Sequence, residues 1–233
     1  MYKPQFVDEE IYHIYNRGVE KRKIFSDDKD YFRFIHNLFE FNNEDSIFNT
    51  NYYLTCNNKN YKIDFQNLKE RKPRKLLVEI LVFTLMPNHF HLILKQKKEG
   101  GIIKFMKKLG IGYANYFNKK YKRVGGLFQG RFKALLIEKE AHFSYLPFYI
   151  HTNPLSLFNH KDSILIDEKI NFLKEYRWSS FLDYIGEKNF PSITSREMFL
   201  NFFGNEKKYL EQTKQWIEEK KEKLKQIKEI ILE

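Results

Sequence analysis

Two histidines one residue apart, His89 and His91, are the side chains of this chain best suited to chemistry. Alternate residues of a strand share one face, so a strand here places both imidazoles on one side, with Cα atoms about 6.5–7 Å apart. Phe90 then points into a core. Two converging imidazoles suit a divalent metal that lacks only a third ligand. The same spacing also fits two half-buried histidines satisfied by hydrogen bonds, so the pair alone does not decide.

A tyrosine and an asparagine four residues apart, Tyr149 and Asn153, form a second candidate group. The pattern of residues 141–153 predicts a helix that Pro154 limits, because the residue before a proline is pushed out of the α region. Side chains four apart on a helix lie on one face and can reach a common centre. Two structural interpretations remain open, a core position for Tyr149 and a helix C-cap for Asn153.

The excess of basic residues is concentrated in one segment. The chain has a net charge of +11, and residues 95–133 hold twelve Lys and Arg against one acid. A basic stripe attracts polyanions, and aromatic residues interleaved with it can stack on unpaired bases. The segment therefore indicates a nucleic-acid surface, although a solvated helix face over a buried aromatic stripe has the same pattern.

The elements that must position these groups alternate along the chain. β-Formers and apolar periodicity predict strands at 11–16, 76–85, 89–95 and 132–138, and helices at 27–41, 102–121 and 141–153. This order favours an α+β fold, an antiparallel sheet with helices on one face. Residues 42–60 are Asn-rich and predict an irregular surface insertion.

The tail, residues 206–233, is rich in both lysine and glutamate. Its apolar residues recur every seven positions, at Leu210, Ile217, Leu224 and Ile231. The companion positions are polar, so the pattern is a weak coiled-coil seam and favours a helix packed on its own domain.

Composition restricts the class of protein. A hydrophobic fraction of 42% excludes a disordered chain. No apolar run approaches the ~18 residues that span a bilayer, and the first residues lack the apolar core of a signal peptide. One cysteine, Cys56, allows neither an internal disulfide nor a multi-cysteine zinc site. We therefore expect a cytoplasmic, nucleoid-associated protein without a membrane partner.

Five ordered motifs carry a family resemblance. They are Tyr12-His-Ile-Tyr-Asn-Arg17-Gly18, Met86-Pro-Asn-His-Phe-His91, Gly126-Leu-Phe-Gln-Gly-Arg131-Phe, Tyr149-Ile-His-Thr-Asn153-Pro154 and Arg177-Trp-Ser-Ser180. In this order and spacing, across roughly residues 5–187, the chain resembles the REP-associated tyrosine transposases. These are a branch of the single-tyrosine HUH transposases within the IS200-like family.

The resemblance implies a fold and a site. The fold is the ferredoxin-like antiparallel sheet of HUH endonucleases, in a domain of residues 1–187 with an insertion at about 42–75. Residues 188–233 fall outside the resemblance, and their own pattern predicts a helical C-terminal extension. His89 and His91 are the implied ligands of Mg²⁺ or Mn²⁺, and Asn153 completes the metal site where insertion-sequence members usually carry glutamine. Tyr149 is the implied nucleophile.

The resemblance also implies a reaction and a partner. The implied activity is a metal-dependent endonuclease and strand transferase that acts on single-stranded DNA with a palindromic hairpin, through a 5′-phosphotyrosyl intermediate. The alternative is a non-catalytic regulator that binds DNA or RNA hairpins. Monomer and homodimer both remain open. The DNA-binding residues expected are Arg17, Lys104, Lys107, Lys108, Lys119, Lys120, Arg123 and Arg131.

Overall fold

Four antiparallel strands form the central sheet. The computed structural model describes residues 5–45, 73–158 and 165–227. The strands are β1 (Ile11–Arg17), β2 (Val78–Met86), β3 (His89–Gln96) and β4 (Lys133–Leu136), ordered β2-β3-β1-β4. The helices are α1 (Asp28–Glu40), α2 (Gly101–Lys120), α3 (Glu140–Thr152), α4 (Ile166–Glu175), α5 (Phe181–Tyr184), α6 (Glu197–Phe203) and α7 (Glu206–Ile227).

The strand order matches the expected fold. One helix follows β1 and a second follows β3, so the first six elements run β1-α1-β2-β3-α2-β4. All three strand pairs are antiparallel, with β1 and β3 at the centre. The ferredoxin-like α+β class is therefore confirmed, and the predicted elements differ from the observed bounds by at most two residues at each end.

Helices cover both faces of the sheet, so the expectation of helices on one face is wrong. Tyr12, Phe90 and Leu92 point to one face and pack with α1 and α2. Val82 and Ile93 point to the other face and pack with α3, α4 and the helices that follow. The second layer was not predicted because local periodicity does not specify which face of the sheet a helix covers.

The hairpin between β2 and β3 presents the histidines. Met86 pairs with His89 across a tight turn at Pro87 and Asn88. Along β3 the odd positions face α3 and the even positions face α1 and α2, so His89 and His91 share one face. Phe90, 2% exposed, enters the core on the opposite side as predicted.

The base of the predicted insertion is held by one buried side chain. Asn42 donates from Nδ2 to the Val78 carbonyl at 2.8 Å, and its Oδ1 accepts from the amides of Leu77 and Val78 at 3.1 Å each. The amide of Glu44 donates to the Lys75 carbonyl at 2.8 Å. Both ends of the insertion are thus tied to β2, while residues 46–72 lie outside the described part.

The C-terminal helices belong to the same hydrophobic core as α3. Tyr209, Trp216 and Ile217 of α7 are buried in this core. The Trp216 indole Nε1 donates to the Thr152 hydroxyl at 3.2 Å, and the Tyr209 hydroxyl bonds to His151 Nδ1 at 2.7 Å. The expectation that the tail packs on its own domain is confirmed here. Of the four apolar residues that recur every seven positions in the tail, Ile217 is buried. Leu224 and Ile231 lie outside the residues whose side chains are described.

Replacing Trp216 with alanine should destabilise the whole protein. The indole is 1% exposed and contacts the helix that carries Tyr149, so truncation leaves a cavity and an unpaired Thr152 hydroxyl. We expect a loss of about 3–5 kcal/mol in the free energy of unfolding, measured by urea denaturation. Phe202→Ala, at a ring 46% exposed, is the matched control and should change little. Equal losses in the two variants would contradict this packing.

No helix within residues 5–45, 73–158 and 165–227 is both long and apolar enough to cross a bilayer.

Candidate active site

The two histidines of β3 lie side by side beneath α3. Their ring centroids are 5.0 Å apart, and the ring planes are nearly perpendicular. Both face the core layer of α3, and His91 is fully buried. The shared strand face inferred from the His-Phe-His spacing is the arrangement found.

The imidazole of His89 is oriented by its neighbour. His89 Nδ1 lies 2.6 Å from the Asn88 side-chain oxygen. An amide oxygen can only accept, so Nδ1 carries the proton and Nε2 keeps its lone pair. Burial is the largest cause of the shift and lowers the pKa of His89 to about 4, whereas the Asn153 side chain as an acceptor raises this pKa and the charge of Arg17 lowers it. His89 is therefore neutral near pH 7.

The phenol ring of Tyr149 stands edge-on to His91. Their centroids are 5.9 Å apart with an interplanar angle of 84°. Asn153 follows the last turn of α3 and lies near enough to His89 to bond with it. The structure therefore brings Tyr149, His89, His91 and Asn153 together within one chain.

Two other tyrosines lie near this group. Tyr15 on β1 stacks against His91 with centroids 5.8 Å apart, as close as Tyr149. Tyr145 lies one helical turn before Tyr149, and its ring packs against Trp216 at 5.6 Å, towards α7. Tyr15 is therefore better placed than Tyr145 to compete with Tyr149 for a role beside His91.

These residues fit a divalent cation. His89 Nε2 is buried and makes no well-aligned hydrogen bond with any described residue, although Asn153 is near. Within the described part of the chain, no group of three or more His, Cys, Asp or Glu side chains could hold a metal ion. The Asn153 side chain lies near His89, and its amide oxygen could supply a third ligand. Two neutral imidazoles and an amide suit Mn²⁺, and oxygen ligands from phosphate suit Mg²⁺ as well.

A cationic pocket of about 160 Å³ opens beside His89. It is lined by the end of β1, the start of β3, the start of β4 and the loop that precedes β4. The side chains are Tyr15, Asn16, Arg17, His89, Gln129, Arg131 and Lys133. Three cations and two amides around one opening suit a nucleotide phosphate with its flanking sugar and base.

Two contacts shape the rim of this pocket. Arg17 donates from Nε to the Gln129 side-chain oxygen, and Asn16 Nδ2 donates to the Gly130 carbonyl at 3.1 Å. Gly130 has φ +124°, a conformation that L side chains rarely adopt. The loop around Gly130 therefore needs glycine to bring Arg131 to the pocket.

The predicted DNA-binding residues divide between two regions. Arg17 and Arg131 line the pocket beside His89. Lys107 and Lys119 are exposed on α2, which packs on the sheet face opposite the histidines. The basic segment is therefore not one continuous surface around the site, because α2 and the histidines lie on different faces.

Several of these cations also make contacts within the protein. Lys104 and Lys108 donate to the carbonyls of Glu44 and Asn43, at 2.9 and 2.6 Å. Lys120 pairs with the fully buried Asp30 at 2.6 Å. The guanidinium of Arg123 lies 5.8 Å from the centre of the Phe117 ring. Lys104, Lys108 and Lys120 thus tie α2 to the insertion base and to α1.

Five residues of the site were not among the individually expected site residues, although four of them stand in the ordered motifs and Lys133 in the basic segment. His13 bonds to His91, and the pocket also contains Tyr15, Asn16, Gln129 and Lys133. His13 and Tyr15 share one face of β1, as His89 and His91 share one face of β3. This His-x-Tyr spacing could have identified the two residues from the sequence. Their contact with β3 depends on the strand register, which the sequence does not state.

Comparison with known proteins gives a family model and several solved structures. A structure described as the REP-associated tyrosine transposase bound to a REP hairpin is 12% identical, covers 84% of this chain and 92% of that chain, and superposes with a TM-score of 0.48. No curated protein matches the chain. Residues 42–153 match the model of the family described as Transposase IS200 like. This matched segment contains both histidines, Tyr149 and Asn153, and over these residues the chain is similar to the IS200-like transposases.

Proposed function

We propose that the protein is a metal-dependent endonuclease and strand transferase that acts on single-stranded DNA beside a hairpin. The observation that carries the proposal is the placement of Tyr149 edge-on to His91, 5.9 Å between ring centroids, with His89 and Asn153 adjoining. The hairpin rests on the resemblance of the five ordered motifs to REP-associated tyrosine transposases. A hairpin-binding regulator needs no tyrosine beside a pair of neutral histidines.

Tyr149 supplies the nucleophile in this proposal. Its phenolic oxygen attacks the scissile phosphorus, forming a P–O bond to the tyrosine while the bond to the 3′-oxygen breaks. The phenol loses a proton, and the leaving 3′-oxygen gains one. The product is a 5′-phosphotyrosyl enzyme with a free 3′-hydroxyl, and the retained ester bond permits rejoining by the reverse attack.

His89, His91 and Asn153 hold the metal in this proposal. When bound, a divalent ion polarises the scissile phosphate and offsets its growing negative charge. Neutral imidazoles are required for this role, and burial keeps both histidines neutral by lowering their pKa values. Asn88 holds His89 with Nε2 towards the site.

The pocket beside His89 positions the substrate strand. Arg17, Arg131 and Lys133 surround an opening that adjoins the imidazole. We assign it to a nucleotide next to the scissile bond, its phosphate held by the cations. Tyr15 offers a ring on which the base can stack.

Binding should prefer a hairpin with a single-stranded flank over a blunt duplex. Three cations at the pocket release about two counterions on a single strand, so a fourfold rise in salt should weaken binding roughly tenfold to twentyfold. Gel-shift titrations at two salt concentrations measure both effects. Binding and cleavage of a matched RNA hairpin separate the two proposed functions. An RNA-binding regulator binds the RNA hairpin without cutting, whereas the proposed enzyme cuts the DNA hairpin.

The control variants distinguish the pocket from α2. Arg131→Gln should weaken binding and make the salt dependence shallower, whereas Lys107→Gln, on the other face of the sheet, should change neither appreciably. Equal affinity for blunt duplex, or a larger effect of Lys107→Gln, would contradict this assignment.

A further inference from the structure

His13 on β1 makes a direct contact with His91 on β3. The two residues are 78 positions apart in sequence, and the antiparallel register of β1 with β3 brings them together. His13 Nε2 lies 2.9 Å from His91 Nδ1, and the rings are nearly parallel with centroids 5.1 Å apart. Both side chains are buried, at 1% and 0% exposure. This contact has no part in the reaction described above.

One proton is shared between these two nitrogens. Both rings are buried, where a neutral imidazole is favoured over the charged form, and an imidazole must be neutral to bind a metal. A neutral imidazole has one donor and one acceptor nitrogen. One ring must therefore donate to the other across the 2.9 Å contact.

The direction of this hydrogen bond decides whether His91 can bind a metal. If His13 donates, His91 Nδ1 accepts, and the proton of His91 must lie on Nε2, which then has no lone pair for a cation. If His91 donates from Nδ1, its Nε2 keeps the lone pair. In the second arrangement the proton of His13 lies on Nδ1, which is buried without a hydrogen-bond partner in the described part of the chain, so a cation on His91 Nε2 is what favours this arrangement.

The neighbouring histidine shows the same arrangement with another partner. Asn88 accepts the Nδ1 proton of His89 at 2.6 Å and leaves Nε2 for the site. Ligand histidines generally give their second N–H to an acceptor that fixes the tautomer and ring orientation. His13 is the group placed to do this for His91. Its own Nε2 points at His91, so it is not itself placed as a ligand.

We propose that His13 is a positioning residue whose Nε2 accepts the Nδ1 proton of His91 and so holds His91 in its metal-binding tautomer. This inference rests on the proposed metal site. Partners of this kind typically change metal affinity by about 10–100-fold when they are lost. A buried histidine with only a packing role would leave that affinity unchanged.

Two variants separate the acceptor from the ring. His13→Phe keeps a stacking ring and removes the acceptor, whereas His13→Gln restores an acceptor oxygen without the ring. Mn²⁺ titration by calorimetry should show an affinity about 10–100-fold lower for His13→Phe and within about threefold of wild type for His13→Gln. Thermal unfolding confirms that each variant is folded. Wild-type affinity in His13→Phe, or an equal loss in both variants, overturns the inference.

The wild-type protein supplies an independent measurement. In the Mg²⁺-saturated state, long-range ¹H–¹⁵N spectra of ¹⁵N-histidine protein should show His91 protonated at Nδ1 and His13 Nε2 unprotonated. A His91 without a proton on Nδ1 overturns the inference even if the variants fail to fold. If wild type binds no Mn²⁺, the proposed metal site fails and this inference fails with it. If wild type binds Mn²⁺ and His13→Phe binds as tightly, only this inference fails.

Discussion

Replacing Tyr149 with phenylalanine should abolish both strand cleavage and the covalent protein–DNA adduct while hairpin binding persists. The substitution removes one oxygen and keeps the ring that contacts His91. A structural tyrosine would lose only about 1 kcal/mol if a single hydrogen bond disappears. A nucleophile has no substitute, because the phosphotyrosyl bond cannot form without the oxygen. Denaturing gels with a labelled hairpin oligonucleotide measure the adduct.

Two neighbouring tyrosines provide matched controls for this experiment. Tyr15→Phe changes a ring as close to His91 as Tyr149, and Tyr145→Phe changes a ring on the same helix. Both variants should still form the adduct. An adduct that survives Tyr149→Phe but is lost in Tyr15→Phe would assign the nucleophile to β1, without changing the fold.

Replacing either histidine of β3 with alanine should eliminate cleavage and leave hairpin binding largely intact. His89 and His91 contribute the two imidazoles of the proposed metal site, whereas the cations that contact DNA lie on other residues. Chelation of divalent ions should have the same effect on the wild type, and added Mn²⁺ or Mg²⁺ should restore cleavage. Cleavage assays with and without EDTA, beside gel shifts, measure the two properties separately.

A third histidine tests whether the effect is specific. His142 lies in the first turn of α3, and His142→Ala should cut DNA like the wild type. Cleavage by the wild type that persists in EDTA would reject the metal mechanism. A loss of binding in parallel with cleavage would indicate that the histidines support the fold instead.

The parts of the fold that local patterns control could be predicted from the sequence. Alternating Phe90 and Leu92 place the histidines on one strand face, and the observed β3 begins at His89 as expected. Asp27 caps α1 by accepting the Asp30 amide at 3.1 Å, a contact between residues three positions apart. These features depend on neighbours within a few residues.

The parts that depend on long-range packing could not be predicted. The lysines of α2 share a segment with Arg131, yet Lys107 and Arg131 lie in different regions of the molecule. Lys120 looks like a DNA contact in the charge pattern, but it neutralises the buried Asp30, 90 positions away. The partner of His91 is likewise 78 positions away. Local charge and spacing contain no information about such distant partners.

The most direct test of the central claim is to map the residue that becomes linked to DNA. The wild-type protein is incubated with a hairpin oligonucleotide in Mn²⁺, denatured, digested with nuclease and protease, and its peptides are sequenced by mass spectrometry. If Tyr149 is the nucleophile, we expect a 5′-phosphonucleotide on Tyr149, beside His91. A modification on Tyr15 or Tyr145, or cleavage products without any modified tyrosine, would contradict it.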